Sequence, residues 1–304
     1  MTVSFQGVQD TTCLAVCADQ GIFDLLVGLL LSLRDLDRNR YKIGVIDTGL
    51  TSAQREHISA LCDTIEPIDP SRLVVLNPQL EARIIGQSPY WRSQACRPYL
   101  RDYFPGHRYY IHLDADMWVQ RPGFFDDAVA IMDKGQVIIV PEADVAYPHN
   151  TTLADNLSYF GAKSYVVRQS LGEPVAQETA ALPFLNTGFF GMRHDLPHWE
   201  LFTDQLKRMF QHGYHHLTEQ LAFNVVLLQH KGFTALPAQC NWMCSWTPPV
   251  RDEHGLWRSP VYPYTPIDIL HLTGTDKRAR YARLGLLYDG GRYLDGIAHL
   301  LPST

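Results

Sequence analysis

The chain has 304 residues, 46% of them hydrophobic and 19% charged, the balance of a packed soluble protein with room for one large α/β domain or two small ones. Its net charge of −6, from 26 basic and 32 acidic residues, argues against a nucleic-acid binder, which would show a basic face, but leaves room for a small basic pocket for phosphates. Cys13, Cys17, Cys62, Cys96, Cys240 and Cys244 form no Cys-x-x-Cys pair, so the expectation is reduced, partly buried thiols of a cytosolic protein and no structural zinc site.

The first residues carry no basic segment followed by an apolar run and a cleavage site, so no signal peptide is expected. Thr12 to Cys17 reads as a buried strand ending at Ala18-Asp19-Gln20-Gly21. The helix after it is apolar nearly all round, through Phe23, Leu26, Val27, Leu30 and Leu33, as suits a helix packed inside a large domain. Ile22 to Leu33 is the longest apolar-rich stretch, but Asp24 breaks it and it is too short to span a bilayer. A cytoplasmic protein without a transmembrane segment is expected, with peripheral membrane contact left open. Tyr41 to Asp47 is a second strand, closed by Thr48-Gly49, and Ser52 is placed to cap a helix bearing Ile58 and Leu61. Asp63 to Ile68 gives a short third strand. This alternation implies a mainly parallel sheet with helices on its faces, whose ligands bind at the carboxyl ends of the strands.

Trp91 to Tyr103 reads as one helix with Cys96, Tyr99, Leu100 and Tyr103 inward and Arg92, Arg97 and Arg101 elsewhere. The central stretch runs from Tyr109 to Val119. An apolar run climbs to Asp114, skips Ala115, gives Asp116 and turns apolar again. Residues at i and i+2 of an extended segment share a side, so the two carboxylates point the same way. Held that close they repel unless a cation sits between them or one is protonated, and oxygen ligands suit Mg²⁺ or Mn²⁺. A bare Asp-x-Asp is also consistent with a plain Asp-rich turn.

Gln136 to Val140 is a further strand, followed by Pro141-Glu142-Ala143-Asp144. Val145 to Ala181 is weakly patterned and reads as a long loop with some helix, a kind of segment that is usually functional. Phe184 to Met192 is strand-like, and Trp199, Phe202, Leu206, Met209 and Phe210 form a helical core stripe. Thr218 is placed to cap a helix starting Glu219-Gln220. From Ala238 the chain is rich in Trp and Pro and reads as irregular, until Ile267 to Leu272 forms a last strand. No linker separates independent domains, so residues 1–304 are expected to form one.

Ala18-Asp19, Arg97, Asp114-Ala115-Asp116, Asn186-Thr187-Gly188 and His271-Leu272-Thr273-Gly274-Thr275-Asp276-Lys277, with the weaker Glu219-Gln220, occur in an order that resembles the family 8 retaining glycosyltransferases, the galactosyltransferase- and glycogenin-like enzymes. The resemblance covers nearly the whole chain. It implies the GT-A fold, an α/β architecture with a Rossmann-like mixed, mainly parallel sheet flanked by helices. Its nucleotide-binding part would span about residues 10–120, with the acceptor-side and lid part from about 121 to 304.

The resemblance also implies roles. Asp114, Asp116 and His271 would hold Mn²⁺ or Mg²⁺ bridging the diphosphate of a UDP-sugar donor. Ala115 lies in the same binding stretch. Lys277 would contact the diphosphate, with Gly274 letting the backbone come close. Asp19 would lie near the uracil or ribose, Arg97 near diphosphate and sugar, and Asn186 and Gln220 against the transferred sugar. Arg97, Asn186 and Gln220 are the catalytic candidates. From position alone, Glu142 and Asp144, at another strand end, are candidates for the acceptor side, and the backbone freedom of Gly274 suggests that His271 to Lys277 forms a lid.

The residue chemistry is compatible: a divalent cation and an ammonium stabilise a departing diphosphate, and neutral amides suit sugar hydroxyls. Simpler readings stand beside it, namely an Arg97 ion pair with Asp102, a plain turn at Asn186 to Gly188, and Lys277 in a solvated basic face with Arg278, Arg280 and Arg283. Two residues depart from the family pattern. Glu219 replaces a shorter Asp, and Thr187 replaces a smaller residue, which would narrow the sugar pocket. The expected activity is metal-dependent, retaining hexosyl transfer from UDP-glucose or UDP-galactose to an unknown glycan, lipid-linked or protein acceptor. The alternatives are a sugar nucleotidyltransferase, disfavoured because Ala18-Asp19-Gln20-Gly21 stands where a basic Gly-rich loop would be, and a non-catalytic nucleotide- or carbohydrate-binding protein.

Overall fold

The structure, a computed structural model, describes residues 9–73, 91–179, 182–212 and 214–285. β1 (Gln9–Asp19), β2 (Tyr41–Gly49), β3 (Thr64–Pro67), β4 (His107–Asp114), β6 (Val137–Pro141), β7 (Leu185–Arg193) and β8 (Phe233–Ala235) form a seven-stranded sheet in the order β3-β2-β1-β4-β7-β6-β8. Strands β3, β2, β1 and β4 run parallel, β7 runs antiparallel to both its neighbours, and β6 pairs parallel with β8. A small sheet, β5 (Met117–Val119), β12 (Ile269–His271) and β9 (Trp242–Met243), sits past the end of β4, and β10 (Val250–Arg251) pairs with β11 (Trp257–Arg258) in a hairpin.

Alternation along the strands divides the core between two faces. Cys13, Ala15 and Cys17 of β1 pack with Tyr110, Leu100, Trp199, Phe202 and Phe223, while Leu14, Val16 and Ala18 pack with Phe23, Val27, Leu113 and Phe125. The stripe of Trp199, Phe202, Leu206, Met209 and Phe210 is buried as its spacing predicts. All six cysteines are free thiols, five of them buried. Among the described residues no helix is long and apolar enough to cross a membrane.

Four local expectations are corrected. Trp91 to Tyr103 is not one helix but Trp91–Ala95, a 3₁₀ turn Arg97–Tyr99 and Leu100–Tyr103, because Pro98 has no N–H to continue the ladder. The helix Ser52–Ile58 is capped by Thr51, not Ser52. Thr51 Oγ1 accepts the Gln54 N–H at 3.2 Å while Gln54 Oε1 accepts the Thr51 N–H at 2.9 Å, a capping box. Leu217 is the N-cap of the helix Thr218–His230, since the Thr218 hydroxyl already accepts the His215 N–H at 2.8 Å. The stretch expected as a loop from Val145 is mostly helical, with helices Pro148–Thr151, Leu153–Leu171 and Glu173–Thr179. Thr152 caps the long one and Gly172, at φ +85°, ends it. Residues 180 and 181, the end of that expected loop, lie outside the described residues.

Candidate active site

Asp114 is the last residue of β4, level with Cys17 on β1. The chain turns there, and Asp116 sits in the turn before β5. Strand β12 pairs antiparallel to β5, which sets His271 opposite Met117, and the Leu272 N–H donates to the Asp116 carbonyl at 3.0 Å. A sheet of three strands therefore brings a residue 155 positions along the chain beside Asp116. His271 Nε2 lies 3.3 Å from Asp116 Oδ1 and 3.7 Å from Asp114 Oδ2. One ligand atom from each of the three residues lies within 4.8 Å of the others.

These groups fit a divalent cation. They offer two carboxylate oxygens and an imidazole nitrogen, a set suited to Mn²⁺ and, less well, to Mg²⁺. Gly188 of β7 packs directly against this cluster. A Cβ there would stand 2.6 Å from His271 Cε1 and 2.8 Å from Asp114 Oδ2. Gly188→Ala is accordingly expected to lower Mn²⁺ affinity about tenfold or more, as loss of a support to a metal ligand usually does. Unchanged affinity in calorimetry would show that the cluster does not need the glycine.

The carboxylates are ionised by their neighbours. Burial alone would raise Asp114, but Arg97 and His112, whose Nε2 lies 3.2 Å from its Oδ1, hold it well below the usual carboxylate range. Burial likewise opposes ionisation of Asp116, yet His271 and Lys277 bring it down to about 2. Lys277 Nζ lies 2.8 Å from Asp116 Oδ2, so this lysine belongs to the cluster and not to a solvated basic face. Its neighbour Arg278 bonds Asp24 through two nitrogens, and Arg280 donates to the carbonyls of Leu272 and Thr273. Arg278 thereby ties the helix Lys277–Arg283 to the first helix, and Arg280 ties it to the turn after β12. Gly274, at φ +71°, follows Thr273, at φ +32°, in the turn between His271 and that helix.

Arg97 does not pair with Asp102. Its guanidinium is buried, with one nitrogen on Asp114 Oδ1 and the other 2.9 Å from Glu219 Oε2 and 3.3 Å from both Thr187 oxygens. Glu219 is about 1% exposed, and burial, offset by Arg97 and by the Thr187 hydroxyl, raises it to about 7. The longer side chain at 219 thus reaches Arg97. The Thr187 hydroxyl, 3.0 Å from Glu219, is engaged by the same pair.

Asn186, Gln220 and Glu142 form a second buried group. Glu142 Oε1 accepts from Asn186 Nδ2 at 2.7 Å and Gln220 Nε2 at 3.0 Å, and Oε2 accepts from the Tyr159 hydroxyl at 3.1 Å. Burial raises Glu142, and these donors oppose the rise. Asn186 Oδ1 accepts from the Gly188 N–H and from Asn241, so the Asn186 amide is engaged within the protein. Asp19 stands apart at the end of β1, where its carboxylate accepts the Gly21 N–H at 2.8 Å. Ala115 is buried between the two aspartates. Asp144 accepts the Ala146 N–H in a local turn. Asn241, His112 and Tyr159 were not singled out by sequence. Each acts through partners distant in the chain or through a fold position that no local pattern marks.

No protein-family model and no curated protein matches this chain. Solved structures do. The bifunctional glycosyltransferase WbbM superposes with a TM-score of 0.59 at 12% identity, over 100% of this chain and 53% of that one. The galactosyltransferase LgtC, in complex with donor and acceptor sugar analogs, gives 0.54 at 14% identity over 96% of this chain and 97% of that one. The fold is that of the GT-A glycosyltransferases. GlyE of Streptococcus pneumoniae gives 0.52 at 14% identity over 97% of this chain and 66% of that one. This chain spans about half the length of WbbM. In GT-A terms, the cluster of Asp114, Asp116 and His271 occupies the carboxyl-end edge of the sheet, where open α/β sheets take their ligands.

Proposed function

We propose that this chain is a metal-dependent, retaining glycosyltransferase that moves a hexose, glucose or galactose, from a UDP-sugar to a glycan, lipid-linked or protein acceptor, acting in the cytoplasm. The observation that carries the reading is the cluster of half-buried Asp114 with buried Asp116 and His271, with Lys277 against it, at the ligand end of a GT-A sheet. Asp114, Asp116 and His271 would hold Mn²⁺ or Mg²⁺, whose charge offsets the charge growing on the departing diphosphate. The Lys277 ammonium supplies a second positive charge there and makes its largest contribution as the glycosidic bond breaks. The segment His271 to Lys277 acts as a lid that excludes water from the activated sugar. Arg97 fixes Asp114 and reaches the donor only through it. Gln220, whose Nε2 is held by Glu142, presents its Oε1 to the sugar, while Asn186 acts by holding Glu142 and Gly188 in place. Asp19 lies at the base or ribose end.

The test is donor turnover. With Mn²⁺ and UDP-glucose or UDP-galactose, slow release of UDP is expected, abolished by EDTA, and UDP should raise the melting temperature above GDP, ADP and CDP. Proton NMR of the first-formed product should show an α linkage. A β product, or UDP release indifferent to EDTA, would overturn the proposal.

A further inference from the structure

Resting on that reading of the metal site, we infer that Asn241 is a positioning residue, which couples the ligating nitrogen of His271 to the orientation of Gln220 through a one-way hydrogen-bond relay ending on Glu142. The relay runs His271 Nδ1 to Asn241 Oδ1 at 2.8 Å, Asn241 Nδ2 to Asn186 Oδ1 at 2.9 Å, Asn186 Nδ2 to Glu142 Oε1 at 2.7 Å, and Gln220 Nε2 to the same Oε1 at 3.0 Å. Asn241 is about 1% exposed and Asn186 about 6%.

The direction of each bond follows from groups that have no choice. The Gly188 backbone N–H can only donate, and it lies 3.0 Å from Asn186 Oδ1. That fixes the Asn186 carbonyl toward Gly188 and its amino group toward Glu142. Asn241 faces the same Asn186 oxygen, so Asn241 must donate there and turn its own carbonyl to His271. An oxygen with no proton can only accept, so His271 Nδ1 carries a proton. Nε2, 3.3 Å from Asp116, is then the nitrogen left for a cation. At the other end the same Glu142 oxygen takes the Gln220 amino group, which directs Gln220 Oε1 away from Glu142. One chain of amides thus sets both the metal-ligating face of His271 and the sugar-facing atom of Gln220.

The test separates these two ends. ¹⁵N NMR of histidine-labelled, metal-free protein at pH 8 should show His271 protonated at Nδ1, a property independent of any transfer activity. Asn241→Leu should release that proton preference and weaken Mn²⁺ binding by about 10–100-fold in calorimetry, the usual range for a partner of a ligating histidine. Asn241→Asp keeps the volume and an acceptor for Nδ1 but offers no donor to Asn186. It should keep the Nδ1 proton and bind Mn²⁺ at least as tightly, yet lower kcat with little change in donor KM. Should Asn241→Leu not fold, the Asn241→Asp pair of results decides. A wild-type His271 protonated only at Nε2, or an Asn241→Leu variant with unchanged Mn²⁺ affinity, would overturn the relay. Correct tautomers and affinities in a protein that never turns over a UDP-sugar would leave the relay standing and remove the proposed function instead.

Discussion

Arg97→Ala is expected to destabilise the metal-free protein by about 3–5 kcal/mol at pH 8, the cost of leaving buried charges without their partner. The guanidinium is the counter-ion of both Asp114 and Glu219, and its side chain is about 9% exposed. Among the described residues Arg97 is the one guanidinium or ammonium paired with either carboxylate, the other groups against Asp114 being the imidazoles of His112 and His271. The effect should also depend on pH, with a sign set by Glu219. Its folded-state pKa, about 7, is raised above the ordinary 4.5 mainly by burial, with Arg97 opposing. Stability from a raised carboxyl is fully present below its unfolded pKa and is lost as pH rises through the folded one. Without Arg97 the rise is larger, so the variant loses more between pH 5.5 and pH 8 than the wild type does. Adding Glu219→Gln should recover part of the loss at pH 8, and Arg97→Lys should recover part of it while losing the fork that spans two carboxylates. Urea denaturation of the variants at both pH values checks this. A loss under about 1 kcal/mol at pH 8, or one independent of pH, would mean that the buried pair is not the anchor of Asp114.

The parts of this protein that could be read from sequence are those with strong local signals. The apolar runs of β1, β4 and β7 and the core stripe from Trp199 to Phe210 announce themselves because burial on both faces leaves few polar residues. Asp114 and Asp116 were legible for the opposite reason, as charges ending such a run. The helix Leu153–Leu171 was not. Its Leu153, Leu157 and Tyr165 lie exposed while Lys163 is buried, so hydrophobic periodicity points the wrong way and only the Thr152 cap is a local cue. Arg97 pairs with Asp114 and Glu219, 17 and 122 residues away, where sequence offered the nearer Asp102. Asn241 was silent altogether. Its meaning rests on bonds to His271 and Asn186, 30 and 55 residues distant, and an asparagine between Cys240 and Trp242 carries no pattern.

The double variant Asp114→Asn, Asp116→Asn should lose Mn²⁺-dependent UDP binding, and transfer should fall by about 10³-fold or more. That figure is several kcal/mol of charge stabilisation removed at the departing diphosphate. The two aspartates should nevertheless behave differently as single variants. Asp116 faces His271 and the half-exposed Lys277, both C-terminal to the strands of the seven-stranded sheet, so Asp116→Asn removes a ligand and one partner of Lys277 while leaving that sheet intact. Asp114 also neutralises Arg97, which is buried against Glu219, so Asp114→Asn strips a ligand and leaves part of a buried positive charge uncompensated. Asp116→Asn should therefore lose metal affinity with little loss of stability, whereas Asp114→Asn loses both. Calorimetry with Mn²⁺ and UDP, run beside urea denaturation of each variant, reads the two quantities separately. Unchanged Mn²⁺–UDP affinity in the folded double variant would mean that the carboxylates at the end of β4 serve the Arg97 and Lys277 ion pairs alone and hold no metal.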